Sequence, residues 1–510
     1  MMGLSGPLVW VLAAASTASA ETPEIITLSP ERRARAVSLD IRGVVPTPEE
    51  MEQISRDGGL SDAMLEDWLQ SDAFTEQAVR HHRALLWNEL SLNNLLGNRQ
   101  LRRQNNIWYN GRAAEYSRGL RNLSCGNFEA TVDADGVPTE WQVDENGYIR
   151  EGWVEVNPYW APETTVRACA FDAMTTVETS TGDNCATDSR AHRNTECGCG
   201  PDLQWCITNN TRRAFVDALE REMEHRVRDV IGRDAPYSEL LIGTTGMVNG
   251  PLVHLYTHLA PFESDIAAPT DLSSLPDLDF SDAETWVNIE LYEHHSGILT
   301  APGWLLRHQT NRGRANRFYE GFLCREFIPL PTGIGGMEEG TPTPDLTLRT
   351  GCESCHARLE PWAAYWGRWQ EASSSWLSPS RYPDYLEECE TCAIQGGNCS
   401  MSLCRNYYVS SLTHPDEEPY AGWMDIYSFL GPDAVGNPDI GPAGWVSAVV
   451  DDGQLAQCAA QNASGWLLGE DVTPDDDQLG AWAALFASSD ESYRSLFRSI
   501  ITSEIYGRVK

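Results

Sequence analysis

The fourteen cysteines of this 510-residue chain limit its possible folds more than any other feature. Six lie between residues 125 and 206, four lie between residues 389 and 404, and the others are Cys324, Cys352, Cys355 and Cys458. This number of thiols is typical of an exported chain whose cysteines pair as disulfides in an oxidising compartment. The connectivity of the pairs does not follow from sequence. If Cys352 and Cys355 serve another purpose, twelve cysteines remain for six bridges.

The first twenty residues also indicate export. Residues 8–15 form an apolar run, and Ala18-Ser19-Ala20 fits a signal-peptide cleavage site before Glu21. The apolar run is too short to span a bilayer, and no later stretch is long and apolar enough to do so. We therefore predict a signal peptide over residues 1–20, no membrane span, and a soluble mature protein that is periplasmic or secreted.

Apolar residues at helical spacing predict a mainly α, multidomain protein. Ser61 and Ser71 fit helix N-caps, and Thr473 with Pro474 fits the start of a C-terminal helix. The pair Asn146-Gly147 between alternating runs predicts a β-hairpin. The expected modules are a helical N-terminal domain (21–119), a Cys-rich insertion with the hairpin (120–210), a helical continuation of the first domain (211–330), a linker (331–350), a module with the second Cys cluster (351–450) and a C-terminal helical module (451–510).

Residues 352–356 read Cys-Glu-Ser-Cys-His, which is the attachment spacing of a c-type haem. The thiols of Cys352 and Cys355 would form thioethers with the two vinyl groups, and the imidazole of His356 would bind the iron as proximal ligand. The alternatives are a simple disulfide and half of a zinc site. The histidine and the export signal favour one covalent haem c. Cys389 and Cys392 share the spacing, but Ala393 follows them, so we expect disulfides there.

The sixth iron ligand is a separate question. Monohaem electron carriers often use a methionine well after the motif, and Met424 has that position; the alternatives are a core role for Met424 and an open iron site. The aromatic residues after the motif, Trp362 to Trp369, either pack on the porphyrin or form ordinary core.

Several segments in this order along the chain resemble the exported haem c-containing, cytochrome c-like families of unknown function that are abundant in planctomycetes and myxobacteria. The segments are 33–50, 236–241, 296–302, the haem motif with Leu359-Glu360-Pro361 and Gly367-Arg368-Trp369, and the C-terminal stretch from Cys458 to Tyr506. The resemblance covers residues 30–115 and 210–510 and omits the Cys-rich insertion. It implies a mainly helical, exported cytochrome and a bridge between Cys324 and Cys458. It implies no reaction.

The expected function is electron transfer with an unidentified redox partner. The net charge of −37 argues against nucleic acid as a partner, because such binding needs Lys and Arg to neutralise phosphates. The acidic surface serves solubility or steers a basic redox partner. The alternative functions are a haem-dependent oxidoreductase with an open iron site and a haem-free, disulfide-rich envelope binding protein. The sequence identifies no catalytic residue.

Overall fold

A computed structural model of the chain describes residues 26–91, 95, 97–262, 265–326, 343–396, 399–469 and 474–509. The predicted signal peptide, residues 331–342 of the predicted linker and Thr473 lie outside these ranges. Within them the protein is mainly α-helical, with small sheets and a disulfide-rich region, as the sequence predicts. No helix of the described ranges has both the length and the apolar character needed to cross a membrane.

Helices make up most of the regular structure outside residues 118–208. The α-helices are α1 (Pro30–Arg42), α2 (Pro48–Asp57), α3 (Asp62–Leu69), α4 (Asp72–Leu86), α5 (Ala114–Ser117), α6 (Asn209–Gly232), α7 (Glu239–Ile242), α8 (Gly250–His254), α9 (Pro302–Arg307), α10 (Asn311–Leu323), α11 (Glu353–Ala363), α12 (Glu387–Gln395), α13 (Ser402–Tyr407), α14 (Asn437–Asp451), α15 (Gln454–Leu468), α16 (Asp476–Ser488) and α17 (Tyr493–Thr502). A π-helical turn over Leu255–Leu259 continues α8.

The strands are short. They are β1 (Ile26–Thr27), β2 (Leu101–Gln104), β3 (Ile107–Asn110), β4 (Gln142–Val143), β5 (Ile149–Arg150), β6 (Trp153–Val156), β7 (Val166–Cys169), β8 (Thr245–Val248), β9 (Val287–Glu290) and β10 (Arg508–Val509). They form a four-stranded sheet of order β2-β3-β7-β6 and three antiparallel pairs, β1-β10, β4-β5 and β8-β9. The β1-β10 pair joins the two ends of the described chain.

Local sequence signals fix several helix ends. The hydroxyl oxygens of Ser61 and Ser71 accept hydrogen bonds from the backbone N–H groups of Met64 and Phe74, so both predicted N-caps are confirmed. The start of α16 differs from the expectation, because Asp475 is its N-cap. Pro474 therefore precedes the helix rather than occupying its first turn.

One central core unites helices that are distant in sequence. Its buried side chains come from α1, α3, α4, α6, α9, α10, the end of α11, and α14 to α17. The largest of them include Trp304, Phe318, Trp366 and Phe486. The predicted modules 21–119, 211–330 and 451–510 therefore contribute to the same core, and α11 is anchored on it.

The Cys-rich insertion contains the predicted hairpin. Strands β4 and β5 pair across Asn146-Gly147, where Gly147 has a φ of 86° that glycine adopts without strain. The hairpin is shorter than expected, because β6 pairs with β7 instead of continuing it. Strand β7 also pairs in parallel with β3, so one sheet contains strands from both sides of the predicted boundary at residue 120. Such a non-local pairing leaves no local signal in the sequence.

Candidate functional site

All fourteen cysteines lie in the described ranges, and twelve of them form six disulfides. The pairs are Cys125–Cys169, Cys185–Cys197, Cys199–Cys206, Cys324–Cys458, Cys389–Cys404 and Cys392–Cys399. The bridge between Cys324 and Cys458, which the resemblance implies, is confirmed. Cys352 and Cys355 remain thiols. The disulfides indicate an oxidising compartment outside the cytoplasm.

The two free thiols lie at the start of α11. The backbone N–H groups of Cys352 and Glu353 donate to the carbonyl of Arg349, and the N–H of His356 donates to the carbonyl of Cys352 at 3.0 Å. Residues three and four apart share a helix face. Cys352, His356 and Glu360 therefore lie on one face of α11, and Cys355 lies one turn before Leu359 beside them.

A carboxylate holds the imidazole of His356. The Nδ1 atom of His356 hydrogen-bonds Oε1 of Glu360, and the guanidinium of Arg312 donates to the same oxygen from Nε at 2.7 Å. An ionised carboxylate only accepts hydrogen bonds, so the neutral tautomer of His356 that fits this contact has its proton on Nδ1 and its lone pair on Nε2. This is the outer-shell support that metal-binding histidines usually have. We did not predict Glu360 for this role, although its four-residue spacing from His356 was a readable signal.

A cleft, here called the motif cleft, lies beside this face of α11. It has a volume of about 760 Å³, within the range of small-molecule sites. Glu360 and Ala363 line it from α11, Gly367 lines it from the end of the turn that follows α11, and Met424 and Ile426 line it from the segment after α13. Its lining includes Glu360 but not Cys352, Cys355 or His356, so the motif cleft adjoins the Cys-x-x-Cys-His motif without containing its three side chains.

The sulfur of Met424 has a protein partner. Met424 is 2% exposed, and its Sδ accepts a hydrogen bond from Nη1 of Arg368 at 3.2 Å. The buried guanidinium of Arg368 also donates to the carbonyl of Tyr382 at 2.7 Å and is paired with Asp384. Met424 thus lines the motif cleft while it is bound to Arg368, and its role as sixth ligand stays a prediction. Sequence reasoning missed Arg368 as an organising residue.

Most aromatic residues after the motif belong to the central core. The indole of Trp366 is fully buried and donates from Nε1 to the carbonyl of Leu299 at 3.0 Å. Trp362 and Tyr365 each stack on Trp445 with ring centroids 5.4 Å apart. These side chains therefore pack in the protein core, which is the second of the two alternatives given above. Trp369 differs, because it also lines the motif cleft.

The donor set at α11 fits a haem c better than a zinc ion. Structural zinc takes four ligands. Among the described residues, the single cluster of three potential ligating groups is Cys125, Glu151 and Cys169, and its two cysteines are joined in a disulfide. Covalent attachment of a haem c needs two thiols at this spacing and an adjacent imidazole. Cys352 and Cys355 are partly exposed thiols, and Nε2 of His356 has no partner among the described residues.

Comparisons of the chain with protein-family models, with curated proteins and with solved structures found no match. The resemblance to haem c-containing families therefore rests on the order and spacing of the motifs quoted above, and membership of those families stays a prediction.

Proposed function

We propose that this chain is an exported, periplasmic or secreted monohaem c-type cytochrome that transfers electrons to or from a redox partner. Cys352 and Cys355 hold the haem as thioethers, and His356 binds its iron through Nε2. A haem c supplies one-electron chemistry at its iron. Glu360 and Arg312 are positioning residues that hold the His356 ring.

The observation that carries the proposal is the distribution of the cysteines. Twelve cysteines pair with one another, and the two that do not are the two of the Cys-x-x-Cys-His motif. If the motif were disulfide material, Cys352 and Cys355 would be bridged to each other or to another cysteine, whereas both are free thiols. They lie at the start of α11, where His356 directly follows Cys355 and offers an imidazole nitrogen.

The test is a visible absorption spectrum and an intact mass of protein exported by a host that matures c-type haem. We expect a Soret band and the mass of one haem that survives denaturation. The variant Cys352→Ala, Cys355→Ala should lose both, whereas Cys392→Ala, Cys399→Ala, which also removes two cysteines, should keep both. Folded wild-type protein without haem, from a host that matures other c-type cytochromes, would refute the proposal and favour a disulfide-rich binding protein.

One observation favours a second function, an oxidoreductase with an open iron site. The sulfur of Met424 is bound to Arg368, and the motif cleft leaves space beside the face of α11 that carries His356. If the site is open, cyanide or carbon monoxide will bind readily and Met424→Leu will leave the spectrum unchanged. If Met424 is the sixth ligand, these small ligands will bind slowly, and Met424→Leu will change the spectrum and speed their binding.

A further inference from the structure

A second cleft, here called the aromatic cleft, lies against the motif cleft. Its volume is about 1040 Å³. The two clefts share wall residues, namely Trp369, Gln370, Leu377, Asn406 and Tyr407. The rest of the lining comes from other parts of the chain, including residues 187–189, 292 and 294–295. A molecule in the aromatic cleft would therefore be separated from the motif cleft by single side chains such as Trp369.

Aromatic rings line the aromatic cleft on two sides. On one side Tyr292, His294 and Trp376 form a ladder of nearly parallel rings, with centroids 5.6 Å and 4.6 Å apart and interplanar angles of 16° and 12°. On the other side the rings of Tyr382 and Tyr407 meet edge to face at 5.0 Å. Rigid rings offer contact area at a low entropy cost and favour planar aromatic ligands.

Histidine nitrogens that could hydrogen-bond the hydroxyl group of a ligand lie among these rings. The Nδ1 atom of His295 hydrogen-bonds the hydroxyl of Thr300 at 3.1 Å, and its Nε2 has no partner among the described residues. Burial lowers the pKa of His294 to about 4 and that of His295 to about 3, so both rings are neutral at pH 7. A neutral imidazole nitrogen exchanges one hydrogen bond with a hydroxyl group, as donor or acceptor according to its tautomer.

The charges of the lining balance. Among the lining residues that the structure describes, Asp188 is the one carboxylate and Arg381 is the one guanidinium. The cleft therefore selects for neither an anion nor a cation, which points to an uncharged ligand.

We infer that the aromatic cleft binds a small, uncharged hydroxy-aromatic molecule of the phenol class. The ring of the ligand packs against the Tyr292–His294–Trp376 ladder, and its hydroxyl group hydrogen-bonds His295. Phenols are donors of single electrons, so a role beside the motif cleft as an electron donor rests on the proposed function, whereas the binding itself does not.

The test is equilibrium dialysis of the exported full-length protein with guaiacol (2-methoxyphenol) as the probe. The matched control ligand is 2-methoxycyclohexanol, which keeps the substituents and lacks the aromatic ring. We expect guaiacol to bind and the saturated analogue to bind roughly three- to ten-fold more weakly, the ratio that one aromatic contact contributes. Equal binding of the two, preferential binding of methyl glucoside, or no binding of guaiacol would overturn the inference.

Variants locate the site. Trp376→Ala should weaken guaiacol binding roughly three- to ten-fold, and Trp376→Phe, which keeps a ring, should restore most of it. Trp141→Ala removes a half-exposed indole outside the cleft and should leave binding unchanged. If Trp376→Ala does not fold, His294→Ala provides the same comparison. Unchanged binding in the folded cleft variants would place guaiacol elsewhere and refute the assignment.

The haem-free variant Cys352→Ala, Cys355→Ala separates the two hypotheses. We expect it to bind guaiacol as the wild type does, because no haem contact is needed. Guaiacol binding by a protein that never acquires haem would sustain the phenol site while the cytochrome proposal fails. Haem attachment without guaiacol binding would support the cytochrome proposal and refute the phenol site.

Discussion

Helices α11 and α12 both carry a Cys-x-x-Cys pair, but they are held in the protein by different means. Helix α11 leads into Trp366, which is fully buried in the central core, and its thiols stay free. Helix α12 belongs to a small cluster of seven buried residues, three of which are cysteines. Both of its cysteines are bridged, Cys389 to Cys404 and Cys392 to Cys399.

The difference shows that the spacing of two cysteines does not set their chemistry. Small substructures that cannot bury enough apolar surface commonly use disulfides to remain folded. A helix that apolar packing already holds has no such need, and its thiols are available for a cofactor. Under the proposed function, the residue after each pair decides its use: His356 follows the first pair, and Ala393 follows the second.

The largest expected effect is the presence or complete absence of particular disulfides. Non-reducing peptide mapping of the exported protein should recover the six disulfides described above. It should find no bridge from Cys352 or Cys355 to any of the other twelve cysteines. A bridge between either of these two and a cysteine of the 389–404 cluster would show that the two helices do not differ as described.

Removing the anchor of α11 should destabilise the protein strongly. We expect Trp366→Ala to lower the free energy of unfolding by about 4 kcal/mol, because it leaves a large cavity and removes the bond to the carbonyl of Leu299. Urea denaturation measures this, with Trp141→Ala, at a half-exposed position, as the control that should change little. Similar losses in the two variants would mean that Trp366 is not the anchor.

Removing the anchor of α12 should have a somewhat smaller effect. The disulfide Cys389–Cys404 closes a segment with a sequence separation of 15. Cys389→Ala, Cys404→Ala should lower the free energy of unfolding by about 3 kcal/mol, since the unfolded chain gains entropy. In haem-free protein, Cys352→Ala, Cys355→Ala breaks no bridge and should change the same quantity by less than about 0.5 kcal/mol. Equal effects of the two double variants in urea denaturation would contradict the comparison.

The smallest expected effect concerns the bond from His356 to Glu360. A carboxylate acceptor makes the imidazole a stronger donor to iron and stabilises the ferric state, and the neutral amide of Glu360→Gln does so less. A difference of about 1 kcal/mol between the two acceptors corresponds to a rise of ~40 mV in the haem reduction potential. Redox titration measures the shift, and Glu353→Gln, at an exposed position of α11, is the control. An unchanged potential in Glu360→Gln would exclude this role.

Local features of the fold were predictable from sequence. The caps at Ser61 and Ser71 depend on residues three positions further along the chain, so neighbouring residues contain the whole signal. The turn at Asn146-Gly147 is equally local. The parallel pairing of β3 with β7 was not predictable, because it joins residues about sixty positions apart without a motif.

The site was predictable only in part, for the same reason. The motif over residues 352–356 identified the thiols and the imidazole, and the neighbouring Glu360 was within reach of the same spacing argument. The bond from Arg368 to the sulfur of Met424 depends on how two distant segments fold together. The wall that the two clefts share at Trp369 also depends on how distant segments fold together.

The bridge between Cys324 and Cys458 closes a covalent ring, with a sequence separation of 134, and the ring contains the whole haem motif and the second Cys cluster. A protease that cuts the backbone once anywhere inside this ring therefore releases nothing. The nicked molecule keeps its mass, apart from one added water, and runs as one band until a reductant opens the bridge. A cofactor attached at the proposed site would therefore stay joined to both flanking helices after a cut that would divide an unbridged chain.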